Sequence, residues 1–107
     1  MRKTDYFEPE GADTNTAELT PEKRFERFFV KMITGMATDK GLSQAEFGRR
    51  VFGEKSGIRI WGGVRSDKRC RDVSLAEALH MANVLDIEFP SLIWQAYERA
   101  KSEDILS

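Results

Sequence analysis

LSQAEFGRRVFGEKSGIRIW, residues 42–61, reads as two short helices joined by a tight turn. Ser43 and Glu46 make the S-x-x-E pattern of a capping box, which opens the first helix at Ser43. Phe47 and Val51, four residues apart, define its inward face. Gly48 beside them leaves room for another helix to approach closely, while Arg49 and Arg50 fall mostly outward. Phe52-Gly53 closes the helix, with Gly53 free to take a positive φ. The second half admits two readings. Ser56 can cap a helix through Gly57, Ile58, Arg59, Ile60 and Trp61, with Ile58 and Trp61 sharing the buried face and Arg59 pointing away from it. Gly57, Gly62 and Gly63 weaken that helix, each by about 1 kcal/mol relative to alanine in a helix interior. Alternatively, IRIW-GG-VR reads as a β-hairpin around a two-glycine turn. Local sequence leaves both open. The neighbouring helices favour the helix, because an isolated two-stranded hairpin is marginal. Such a helix depends on Ile58 and Trp61 packing inward.

The flanking sequence supplies the scaffold. Thr20-Pro21-Glu22 starts a helix: a capping hydroxyl, a proline suited to the first helical position and an acid at the positive end of the dipole. Phe25, Phe28, Phe29, Met32, Ile33 and Met36 follow at helical spacing, and Gly41 ends the run. Residues 62–72 read as a loop or a frayed helix end. A second capping box, Ser74 with Glu77, opens a helix whose stripe is Leu75, Ala78, Leu79, Ala82 and Leu85, with His80 on its polar side. Pro90 begins a last helix with the stripe Leu92, Ile93, Ala96, Tyr97 and Ala100, and Trp94 to one side. That stripe is wider than one small core needs. It either closes the core against the first helix or forms a dimer surface. Residues 1–19 read as a flexible arm, 20–101 as the folded domain and 102–107 as a frayed end. Tyr6 and Phe7 are the arm's apolar exceptions.

Composition narrows the functional classes. One cysteine and one histidine make neither an internal disulfide nor a tetrahedral zinc site. No apolar run approaches the roughly 20 residues that span a bilayer, and the N-terminus has no apolar core of a signal peptide, so a cytoplasmic protein is expected. No nucleophile–base pair, carboxylate pair, metal cluster or phosphate-binding glycine loop stands out. Catalysis, a cofactor and a small-molecule ligand are accordingly not expected. The formal net charge is only −1, yet residues 49–71 carry eight basic and two acidic side chains. This is a local positive footprint between acidic flanks. Cys70 lies inside it, where neighbouring cations lower a thiol pKa, although no second cysteine is present to resolve a redox cycle.

GLSQAEFGRRVFG and the later VSLAEALHMANVLDI together resemble the helix-turn-helix domain of phage repressors, Cro proteins and the related bacterial regulators. The resemblance spans about residues 22–100. Two features depart from the family pattern. Phe52-Gly53 inverts the usual order of glycine then apolar residue, and the segment between Trp61 and Ser74 is longer than the norm. The resemblance implies an all-α fold, a compact five-helix bundle with a lambda repressor-like helix-turn-helix. It implies double-stranded DNA as partner and a homodimer, formed through the last helix or the arm, bound at half-sites one helical turn apart. By position, Lys55, Ser56, Gly57 and Arg59 fall at or near the bases, with Arg59 the foremost reader of sequence. Gln44, through its side chain or backbone amide, and Arg49 fall near phosphate. Arg65, Lys68, Arg69 and Arg71 supply charge attraction to the DNA backbone. The rival expectation is a protein-binding module on the same fold, antitoxin-like or adaptor-like, without strong DNA specificity.

Overall fold

Thr20 begins the fold as read: its hydroxyl accepts from the Lys23 amide at 3.1 Å, and α1 (Pro21–Asp39) runs from there. The computed structural model describes residues 19–68 and 71–107. Four further helices follow: α2 (Gln44–Phe52), α3 (Gly57–Arg65), α4 (Leu75–Val84) and α5 (Phe89–Ser102). Among the described residues there is no strand, so the hairpin alternative for 58–65 gives way to helix. No helix among them is long and apolar enough to cross a membrane.

Backbone chemistry ends three of these helices in the same way. After α1, Gly41 takes φ +83°, and the amides of Gly41 and Leu42 donate back to Thr38 and Ala37, both at 2.9 Å. After α4 and α5 the left-handed position is held by Asp86 and Asp104, with Ile87 and Ile105 donating to Ala82 and Ala100 at 2.9 Å. Each is a Schellman arrangement that satisfies carbonyls a helix end would leave bare. Beyond α5 the Arg24 guanidinium donates to the carbonyls of Ile105 and Ser107, so the last residues, expected to fray, lie against the start of α1.

The core draws on all five helices: Phe29, Val30 and Ile33 of α1, Phe47 of α2, Trp61 and Val64 of α3, Met81 and Ala82 of α4 with Leu85 at its C-cap, and Leu92 and Ala96 of α5. Several stripes sit rotated from the expected ones. On α3, Trp61 is fully buried but Ile58 is 49% exposed; the inward face is Gly57, Trp61 and Val64. Trp61 and Val64 lie four and seven residues after Gly57, so one helical face carries all three. The helix continues through the double glycine to Arg65, where the sequence suggested a loop or a frayed helix end. On α4, Met81 enters the core, while Leu75 is 75% exposed and Leu79 also faces out. The small Ala78 and Ala82 define the line of closest approach, and the long Met81 and Leu85 fill the space beside it. α5 begins one residue before Pro90.

The connection from α3 to α4 is tied down along α1. Lys23 bridges Glu26 and Asp72, the Val73 amide donates to Glu26 at 2.8 Å, and Arg27 donates to the Ser66 carbonyl at 3.5 Å. Arg27 is nearly fully buried, and it brings positive charge to the negative end of α3. The two acidic partners outweigh burial at Lys23 and raise its pKa above the ordinary lysine value.

Candidate functional site

α2 and α3 meet at a pair of glycines. A Cβ on Gly48 would stand 2.7 Å from the Gly57 carbonyl oxygen, and one on Gly57 would stand 2.3 Å from the Gly48 carbonyl oxygen. Neither distance is tolerable for a real side chain, so both glycines are required by the crossing. Gly48 was expected there; its counterpart Gly57, expected near the bases, is buried in the same contact. Gly53 takes φ +104° in the turn between the helices, as its place in the sequence suggested.

Trp61 fixes the angle. Its ring lies 5.0 Å from the Phe47 ring and 6.2 Å from the Phe52 ring, centroid to centroid. Its indole N–H donates to Gln44 Oε1 at 2.8 Å. Gln44 Nε2 in turn faces the Thr34 carbonyl and Thr38 Oγ1, each at 3.2 Å. One glutamine side chain thus joins α1, α2 and α3. It is engaged inside the fold, which leaves the backbone amide as the part of Gln44 able to meet a phosphate.

The outer face of α3 follows from this arrangement. Arg59 precedes Trp61 by two residues, about 200° around the helix, and so points away from the core. It is exposed and has no hydrogen-bond or ion-pair partner among the described residues; the same holds for the Lys55 side chain in the preceding turn. Ser56 occupies the N-cap position of α3, but its hydroxyl makes no capping bond, contrary to the expected cap. Ile58 is exposed beside Arg59. Gly62 and Gly63 lie one turn further on, and a Cβ on either would meet nothing within 4 Å. At the far end the Arg65 guanidinium lies 5.6 Å from the Trp61 ring centroid, with its Nε buried and unpaired. The Lys68 side chain is exposed just beyond, without a partner among the described residues.

Other cations of the basic segment are neutralised locally. Glu46 takes Arg50 at 2.8 Å and Arg49 at 2.9 Å, and these guanidiniums, Arg50 foremost, hold its carboxyl below the usual carboxylate range. Because the Glu46 carboxylate points along α2 to Arg49 and Arg50, it does not return to the Ser43 amide, and only the Ser43 half of the expected capping box forms, with its hydroxyl accepting from the Glu46 amide at 3.0 Å. Arg71 makes a two-pronged bond to Glu77, at 3.1 and 2.9 Å, and lies over the Phe52 ring. Glu77 completes the second capping box through the Ser74 amide, and Arg71 holds its carboxyl below the ordinary range. Both depressed carboxyls favour folding above the ordinary carboxylate range, and that contribution fades as pH falls through it. Arg69 and Cys70 lie outside the described residues.

Among the described residues, Lys55, Arg59, Arg65 and Lys68 have no ion-pair partner, and they are strung along α3 and its two ends. The i, i+3 and i, i+4 spacing of Arg49 and Arg50 from Glu46 is a sequence signal for the engagement of those two arginines; Arg71, six residues from Glu77, carries no such signal. The residue that sequence reasoning missed is Ile58, whose outward position follows once Gly57 is known to face α2. A scan of family models, a search of curated proteins and a search of solved structures find no match to this chain.

Proposed function

We propose that this chain binds double-stranded DNA sequence-specifically, with α2 and α3 acting as a helix-turn-helix of the phage repressor and Cro type, and that it serves as a repressor-like transcriptional regulator in a bacterial cytoplasm. The observation that carries this reading is Arg59, exposed and without a partner among the described residues, on the outer face of a helix whose angle is fixed by the Gly48–Gly57 crossing and by Trp61. A helix docking its N-terminal part into the major groove offers its first turn to base edges. There Arg59 makes the two-pronged bond to guanine O6 and N7, with Lys55 and the Ser56 hydroxyl beside it. Arg65, Lys68 and the Gln44 backbone amide meet phosphates on either side. Arg49 and Arg71 reach phosphate only by leaving Glu46 and Glu77.

The same reading includes a homodimer formed through α5. Trp94 is 63% and Tyr97 44% exposed, and both line an apolar groove with Phe25, Phe89 and Ile93. Two copies joined there would bind half-sites about one helical turn apart. This groove also favours a second reading, in which the fold is a protein-binding module and the aromatic face, not α3, is the working surface. Neither reading involves a cofactor or a catalytic step.

Arg59→Ala separates them. On the DNA reading it lowers the preference for the selected site over random DNA by about 1–3 kcal/mol. Lys68→Ala, by contrast, weakens all sequences evenly and flattens the salt dependence by about one log–log unit. Competition binding measured at several salt concentrations reads both effects. An Arg59→Ala protein with wild-type site preference would count against α3 as the reading helix.

A further inference from the structure

We propose that Ile58 is a second sequence-reading residue, which recognises the 5-methyl group of a thymine next to the base pair read by Arg59. This inference rests on the DNA-binding reading of α3. Ile58 is the large apolar residue of the first turn of α3, and the fold leaves it out. It is 49% exposed on a helix whose inward positions are taken by Gly57, Trp61 and Val64. It follows Gly57 by one residue and precedes Arg59 by one, so it lies about 100° from each and flanks the outer face on which Arg59 is central. Next to it in sequence and on the preceding turn are the exposed cations Arg59 and Lys55, whose side chains have no partner among the described residues. The thymine methyl is the one apolar mark in the major groove, and aliphatic side chains recognise it by contact.

The next turn of the helix agrees with such an approach. Gly62 and Gly63 stand four residues after Ile58 and Arg59, hence directly along the helix from each. Neither takes a positive φ, and neither has a neighbour that a Cβ would meet. Among the described residues, no contact requires two consecutive glycines within this helix. Close approach of the groove wall to a bare backbone does explain them, and that approach brings Ile58 to the base edges.

The test starts from a site selected by the full-length wild-type protein. Each thymine of that site is replaced in turn by deoxyuridine, which removes only the methyl group and keeps base pairing. One position is expected to weaken wild-type binding about fourfold, the worth of one buried methyl group. At that position Ile58→Ala is expected to bind thymine and uracil equally. Ile58→Val, a milder change, supplies the same comparison if alanine disturbs folding. Gly62→Ala and Gly63→Ala are expected to raise the melting temperature while weakening DNA binding. Equal thymine-over-uracil preference in wild type and Ile58→Ala overturns the proposal, as does a wild type indifferent to every uracil. Failure to select any site is seen before uracil is introduced and overturns the DNA reading itself.

Discussion

Gly57→Ala is expected to lower stability by about 3 kcal/mol, although alanine is the better helix former. The added Cβ would stand 2.3 Å from the Gly48 carbonyl oxygen and 2.7 Å from the Arg49 Cα. Both are backbone atoms of α2, so no side-chain rotation relieves the contact and the two helices must separate. Separation in turn loosens Trp61 between Phe47 and Phe52. Gly62→Ala is the internal control. It makes the same chemical change in the same helix where nothing lies within 4 Å, and should stabilise by up to about 1 kcal/mol. Thermal melts of the two proteins should move in opposite directions. For a domain of this size 1 kcal/mol corresponds to roughly 4–8 °C, so the shift for Gly57→Ala exceeds 10 °C. A Gly57→Ala protein that melts at or above wild type would show that the crossing is not as close as described.

Trp61→Ala is expected to destabilise by about 3–5 kcal/mol. The ring is fully buried, and it is the largest such side chain in the protein. Its loss leaves a cavity among Phe47, Phe52 and Val64 and removes the donor to Gln44 Oε1, which then lacks its partner in a partly buried site. Trp61→Phe keeps most of the packing but also loses that donor, and should fall between the two. Total stability for a domain this size is on the order of 5–15 kcal/mol, so the alanine variant gives up a large share of it. Urea unfolding measures both variants. A Trp61→Ala midpoint close to wild type would mean that α3 is held by something other than this residue.

Most helix boundaries, the end of α3 excepted, were legible because they are written in local chemistry. Thr20, Ser43 and Ser74 accept from the amides three residues on, and Gly41 and Gly53 take the positive φ their positions require. The rotation of α3 and α4 was less legible. Gly57 adds nothing to an apolar pattern, so its place at the centre of the inward face of α3 was hidden and Ile58 was assigned there instead. Val64 lies beyond Gly62-Gly63, which suggested a loop. On α4 the leucines outweigh the alanines in an apolar count, but the alanines set how near the helix comes to its neighbours. The basic segment was visible as a charge excess. How much of it is free was not, because the pairing of Arg71 with Glu77 depends on how the chain folds back after α3.

The central claim is that α3 reads DNA. Its most direct test is selection from genomic and random double-stranded fragments by the full-length protein at low salt. The account predicts an enriched site with two half-sites about one helical turn apart, bound by wild type with affinity that falls steeply as salt rises. Arg59→Ala is predicted to lose that enrichment while keeping weak, salt-sensitive binding to all fragments. If wild type enriches no sequence, α3 is not a DNA-reading helix and the account is contradicted.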